Sequence, residues 1–253
     1  MSHTIAILNQ KGGVGKTTTA INLSSYLVRA GYQVLLIDLD PQGNATSGLG
    51  LDKQNQDQTS FELLLGQTTL ARAVKETNIP GLFILPANAN LAAAEIELVK
   101  QQNRESKLKD MLGPTDYDYI IIDCPPALGL LTVNALTAAN LLIIPVQAEY
   151  YALEGLSQLL SVVQRVREGL NTNLEILGVV LTMYDSRTSL SAQVYNELQR
   201  HFGEKMFKTI IPRNIRLAEA PSFGKPIAEH DKWSKGARAY KQFAKEVEKR
   251  TNG

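Results

Sequence analysis

A single cysteine, Cys124, in 253 residues removes several protein classes at once. One thiol cannot close an internal disulfide, nor can it supply the sulfur ligands of a four-cysteine zinc or iron–sulfur site within one chain. Aromatic side chains are few, 6% of the total with one Trp, and their placement does not suggest a base-stacking surface for single-stranded nucleic acid. Long apolar runs are missing: no segment approaches the roughly 20 uninterrupted apolar residues of a membrane span. The N-terminus enters Thr4-Ile5-Ala6-Ile7-Leu8-Asn9 with no basic, apolar leader. Pro/Gly/Ser linkers, internal repeats and low-complexity tracts are absent as well. These absences predict a cytoplasmic chain that forms one domain over residues 1–253.

What is present is a globular composition, 44% apolar and 20% charged. A chain of this length can bury roughly three quarters of its unfolded surface. Apolar runs at 4–8, 33–38, 81–86, 119–123, 140–146, 174–181 and 207–211 are short and continuous in Ile, Leu and Val rather than alternating. That is the pattern of strands covered on both faces. Helical periodicity lies between them: Ala20, Leu23 and Leu27 share one face, as do Leu156, Leu159, Leu160, Val163 and Val166. The predicted fold class is α/β, a single doubly wound, mostly parallel sheet with helices on both faces. The polar stretch 51–59 reads as an exposed loop. A last helix, from about residue 233 to 250, carries Ala237, Tyr240, Phe243, Ala244 and Val247 on one face, a stripe suited to docking on the sheet and too narrow for lying on a membrane.

Charge is unevenly spread. Residues 187–250 hold 14 Lys+Arg and 7 Asp+Glu, net +7, although the whole chain carries only +1. Such a split raises the expectation of a polyanionic partner, with a solvated basic face as the plain alternative.

The first strand candidate is followed directly by Gln10-Lys11-Gly12-Gly13-Val14-Gly15-Lys16-Thr17-Thr18 and then by an amphipathic helix. Strand, glycine-rich loop and helix in that order form a phosphate site, because the loop amides turn inward and the helix N-terminus adds partial positive charge. Lys16 is expected to reach the β- and γ-phosphates and the Thr17 hydroxyl to ligate Mg²⁺. The loop departs from the common G-x-x-x-x-G-K-[ST] pattern, since Gln10 replaces the first Gly and a second lysine, Lys11, is present. Two more strand candidates end in carboxylates, in Asp38-Leu39-Asp40-Pro41-Gln42-Gly43 and in Asp123-Cys124-Pro125-Pro126. In a parallel sheet such ends meet on one edge, where ligands bind. Asp123 is expected to hold Mg²⁺ directly or through its water, Asp38 is a second candidate for that task, and Asp40 is placed to orient an attacking water. Cys124 reads as a small buried neighbour; Asp52 and Asp57 read as capping or solvated acids.

These segments resemble the deviant Walker A, switch I and switch II motifs of the ParA/MinD ATPases, a branch of the P-loop NTPases. Within that family, 147–155 and 211–222 resemble the chromosomal ParA proteins, also called Soj, and the likeness runs from about residue 4 to 245. The resemblance implies an ATP-bound homodimer in which Lys11 crosses to the partner's phosphates, with Gly12 and Gly13 where two backbones approach. ATP and Mg²⁺ are the implied cofactors, with Lys11, Gly12, Gly13, Val14, Gly15, Lys16, Thr17 and Thr18 around the phosphates and Lys11, Lys16 and Asp40 in catalysis. The stretch 181–185 lacks the lysine that stacks on guanine in guanine-specific relatives, which favours adenine. The family's base site corresponds here to Pro212 and Asn214.

The resemblance also implies a target. No MinD-like membrane helix closes the chain, one cysteine excludes a shared iron–sulfur cluster, and the first strand begins too early for an N-terminal helix-turn-helix domain. What remains is the short chromosomal form, and resemblance to it implies a chromosome-partitioning ATPase, slow alone, that binds double-stranded DNA non-specifically, with Arg187 and Arg216 matching the positions that contact DNA in the family. A ParB-type protein is its implied stimulator and the nucleoid its implied location. Arg213, Lys225, Lys235 and Arg238 are possible helpers in DNA binding; Glu149, Tyr150 and Glu154 stay unassigned between a dimer or partner surface and a helix start. Alternatives from other classes are a MinD-like positioning ATPase, a metabolic P-loop enzyme acting on a small substrate, and a non-catalytic scaffold.

Overall fold

Both faces of each central strand are apolar because both are covered. Alternate residues of one strand therefore enter different cores. In the computed structural model, which describes residues 2–149 and 154–252, Ile5 and Ile7 pack in one core and Ala6 and Leu8 in the other. Leu35 and Ile37 likewise separate from Val34 and Leu36. The strands are β1 (His3–Ile7), β2 (Val34–Asp38), β3 (Lys75–Glu76), β4 (Leu82–Leu85), β5 (Tyr119–Asp123), β6 (Leu141–Gln147) and β7 (Glu175–Thr182). They form one sheet in the order β3-β4-β2-β5-β1-β6-β7, parallel except for the β3–β4 pair. The expected α/β, doubly wound P-loop NTPase architecture is the one observed.

Two helices close one face. The Lys16–Arg29 helix buries Ala20, Leu23 and Leu27, and the C-terminal Lys235–Asn252 helix buries Ala237, Tyr240, Phe243, Ala244 and Val247 beside it. Each fully buried Leu or Phe contributes about 1.5–3 kcal/mol relative to exposure. The Thr19 hydroxyl and the Tyr240 phenol, 3.0 Å apart, join the two helices inside that core. On the other face the Glu154–Gly169 helix buries Leu156, Leu159, Val163 and Val166.

One expected strand is absent, one unexpected strand is present, and two bounds are refined. Residues 207–211 do not form a strand. The Phe207 and Ile211 amides do bond to the Val179 and Leu181 carbonyls of β7, but the amides between them, of Lys208 and Thr209, donate to the Glu246 carboxylate. A side chain on the terminal helix thus takes the donors that a ladder would use. β3 is an additional edge strand of two residues, too short to leave a pattern. The terminal helix begins at Lys235, two residues later than expected, and Trp233 is 77% exposed ahead of it. The 51–59 stretch alternates exposed and half-buried residues around a short turn of helix at Lys53–Asn55, and it ends on buried Thr59, which forms a capping box with Glu62 and starts the Ser60–Leu64 helix.

Candidate active site

Parallel pairing brings three distant segments to one edge. Ile7 at the end of β1 and Asp38 at the end of β2 both stand in register with Asp123 at the end of β5. The phosphate loop leaves β1 there and curls with Gly13 and Gly15 at φ 76° and 88°, angles that only glycine takes without strain. Asn9 anchors its start: the side-chain amide donates to the Pro145 carbonyl at 2.7 Å and its oxygen accepts from the Lys11 amide at 3.0 Å. Thr182, at the end of β7, holds the middle by donating to the Val14 carbonyl at 2.8 Å.

A cavity of about 350 Å³ opens over this loop, lined by Gly12, Gly13, Gly15, Lys16, Thr17, Thr18, Asp40 and Met183 among others. Lys16 is buried, and its ammonium donates to the Lys11 carbonyl at 3.1 Å. Burial pulls its pKa down, while the Asp123 and Asp40 carboxylates favour the cation. A second cavity, about 410 Å³, shares Gly15, Thr18 and Met183 with the first and continues along Ile211, Pro212, Arg213, Asn214 and Tyr240. Pro212 and Asn214 therefore lie beside the phosphate loop. The Asn214 oxygen also caps the Ile215–Glu219 helix through the Leu217 amide, at 3.3 Å. Val14 faces away, buried, toward a third cavity described below.

The two strand-end aspartates are fully buried and differ sharply in partners. Asp38 accepts from the Asp40 amide at 3.2 Å and from the Thr46 amide and hydroxyl, each at 2.8 Å. Its pKa is raised to about 6, burial outweighing those hydrogen bonds. Neither Asp123 oxygen has a hydrogen-bond partner among the described residues. Burial first, then the Asp38 charge, pushes its pKa well up, with the nearby Thr17 hydroxyl and Lys16 ammonium opposing. A buried carboxylate with both oxygens free is a group that awaits a cation or its water. Together with the Thr17 hydroxyl beside it, Asp123 fits Mg²⁺, which uses one or two protein oxygens and keeps waters and phosphates for the rest. No cluster of three His, Cys, Asp or Glu side chains that could hold a metal ion occurs among the described residues. Asp40 is only 8% exposed and accepts from the Gln42 amide at 2.9 Å, at the mouth of the phosphate cavity. Cys124 is buried and its pKa is driven up by burial, which leaves the thiol neutral and unreactive.

A family model described as an AAA domain matches residues 2–176. The sporulation initiation inhibitor protein Soj of Bacillus subtilis is 55% identical over 249 residues, covering 98% of each chain. The chain belongs to the Soj/ParA family of ATPases. A further relative in that family, the chromosome partitioning protein ParA of Caulobacter vibrioides, is 51% identical over 96% of this chain and 92% of its own. Among solved structures, a cobyrinic acid a,c-diamide synthase from Mycobacterium smegmatis with bound ATP analog and magnesium superposes with a TM-score of 0.91. It is 38% identical and covers 100% of this chain and 96% of that one.

Several groups that complete the site carry no motif. Thr46 ties Asp38 to the Ala87 amide, which it accepts at 2.9 Å. Met183 sits at φ 52°, a left-handed conformation outside glycine, where both cavities meet. The Lys11 ammonium pairs with Glu149 of the same chain. Of the 147–155 segment that carries the Soj likeness, residues 150–153, Tyr150 among them, lie outside the described residues, and so does the side chain of Glu154. Arg187 and Arg216 line neither of these two cavities, although Ile215 and Leu217 beside Arg216 line the second, and each sits on a carboxylate: Arg187 on Asp185 at 2.6 Å, Arg216 on Glu219 at 2.9 Å and Asp231 at 3.6 Å. Arg187 remains 85% exposed. Among the described residues no helix is long and apolar enough to cross a membrane.

Proposed function

We propose that this chain is a chromosome-partitioning ATPase whose ATP-bound form is a homodimer on double-stranded DNA. The observation that carries the reading is a phosphate loop with two lysines set against a buried, unpartnered Asp123. Lys16 neutralises the β- and γ-phosphates from within the subunit. Thr17 and Asp123 hold Mg²⁺, and Asp38 serves that site through its hold on Thr46 and the Asp40 amide. The ion supplies charge neutralisation on the phosphate oxygens. Asp40 orients the water that attacks the γ-phosphorus, and adenine occupies the cavity of Pro212 and Asn214, where the Asn214 NH₂ group is left to meet the base.

Lys11 completes the partner's site in trans. A cation delivered only by a second subunit ties phosphoryl transfer to assembly, and such contacts are worth orders of magnitude in rate. Pairing also doubles the basic surface, so weak patches on single subunits act together at high effective concentration. Arg187 and Arg216 contact DNA phosphates and exchange their carboxylate partners for them; Arg213, Lys225, Lys235 and Arg238 assist. A ParB-type protein stimulates hydrolysis and releases the dimer from the nucleoid, which makes the protein cytoplasmic and nucleoid-associated. The 55% and 51% identities to Soj and ParA support this reading.

A metabolic P-loop ligase is the second reading. One observation favours it: a cavity of about 630 Å³ beside the loop, lined by Asn9, Gln10, Gln147, Glu149 and Gln158, has room for a small acceptor. Binding to an arbitrary duplex separates the two. The partitioning reading expects ATP, and not ADP, to induce salt-sensitive DNA binding; a chain that ignores DNA under ATP belongs with the ligases.

A further inference from the structure

Lys11 is held differently along its length. Its amide is fixed by the Asn9 side chain at 3.0 Å and its carbonyl by the Lys16 ammonium at 3.1 Å, so the backbone is anchored on both sides. The side chain leaves the loop on the other side: Lys11 does not line the 350 Å³ cavity but the 630 Å³ cavity, where its ammonium meets the Glu149 carboxylate. Gln10 packs against the other wall of this cavity, its amide nitrogen 2.8 Å from where a β-carbon on Gly155 would stand. The two ends of the cavity wall, the loop and the end of β6, are thereby joined by one ion pair.

We propose that Glu149 is a positioning residue that holds Lys11 on its own subunit until a triphosphate-loaded second copy draws the lysine across. The inference rests on the dimer reading above. A chain whose trans lysine is engaged at home is a poor donor to a partner, and its apparent affinity for pairing falls by the fraction of molecules with the lysine released. Lys11 and Glu149 are 42% and 32% exposed, so solvent screens the pair, and releasing it changes one protomer's equilibrium by roughly two- to five-fold. Two protomers release two pairs, and the dimerisation constant responds with the square, about four- to twenty-five-fold. The device therefore sets a threshold in nucleotide occupancy and leaves the final dimer intact.

The test is sedimentation of the full chain titrated with a non-hydrolysable ATP analogue and Mg²⁺, comparing wild type with Glu149→Gln and Glu149→Ala. Both variants are expected to dimerise four- to twenty-five-fold more tightly, and Glu149→Asp to fall between them and wild type. In a Lys11→Ala background, Glu149→Gln is expected to change neither analogue affinity nor the monomeric state, a null that a merely structural Glu149 would not give. A Glu149→Gln dimer no tighter than wild type overturns the latch, and a weaker one places Glu149 across the interface instead. Wild type that stays monomeric at saturating analogue defeats the dimer reading itself, and the latch with it.

Discussion

Asp38 and Asp123 stand in register at the ends of adjacent parallel strands, yet only Asp38 has donors on both of its carboxylate oxygens. The asymmetry leaves Asp38 tied to Thr46 and the Asp40 amide, and leaves both Asp123 oxygens without a partner among the described residues; on the proposed function the second of these carboxylates would meet the cation.

Asp123→Asn removes the buried charge and keeps the shape. Because an uncompensated buried carboxylate costs free energy, the unliganded variant is expected to unfold within about 1 kcal/mol of wild type or above it. The extra thermal stabilisation that Mg²⁺ adds to the analogue-bound protein is expected to vanish. Calorimetric scans with analogue, with and without Mg²⁺, measure both; an undiminished Mg²⁺ increment removes Asp123 from the metal site.

Gly12 lies outside the left-handed region, and a β-carbon placed there meets nothing within 4 Å in its own chain. Gly12→Val is therefore tolerated by the monomer. It is expected to bind ATP within a few-fold of wild type and to remain monomeric, because in the proposed dimer the two backbones approach each other at this position. Sedimentation as a dimer with analogue contradicts the placement of Gly12 at the interface.

Arg187→Ala and Arg216→Ala each remove one phosphate contact per subunit. For a bound dimer the slope of log affinity against log salt is expected to become shallower by about 2 per variant, with weaker binding across all sequences alike. Titrations of duplex DNA from 50 to 200 mM salt read the slope, and an unchanged slope excludes that arginine from the contact.

Much of this was readable from sequence because central parallel strands are continuous apolar runs and a nucleotide site occupies strand ends. β2 and β5 lie within a residue of the expected bounds, Asp40 lines the cavity over the phosphate loop, and Asp123, near Thr17 and Lys16, stands in register with Asp38 at the same sheet edge. What sequence hid was set by side chains far apart in the chain. The Lys208 and Thr209 amides bond to Glu246 and break a strand that looked sound. Lys11 and Glu149 are 138 residues apart, and no local pattern links them. The left-handed Met183 carries no compositional signal, since glycine is the usual marker of that conformation.

Glu246 gives a stability prediction with a definite pH sign. Burial alone would raise its pKa, but the amides of Lys208 and Thr209, the Thr209 hydroxyl and the Arg250 guanidinium outweigh burial and hold it below the usual 4.5. A carboxylate depressed in the folded state adds stability that is full above its unfolded pKa and is lost as pH falls through the folded value. Glu246→Gln is expected to cost about 1–3 kcal/mol at pH 7, and less below pH 4.5. Urea unfolding at pH 7 and pH 4 decides it; a cost that grows on acidification contradicts the assignment.

The central claim is that the triphosphate is shared between two subunits, and a crystal structure with a non-hydrolysable ATP analogue and Mg²⁺ tests it most directly. The account predicts a face-to-face pair in which each Lys11 has left its own Glu149 and its ammonium lies on the partner's phosphates. Separate molecules, each with nucleotide bound and Lys11 still on Glu149 of the same chain, would contradict it.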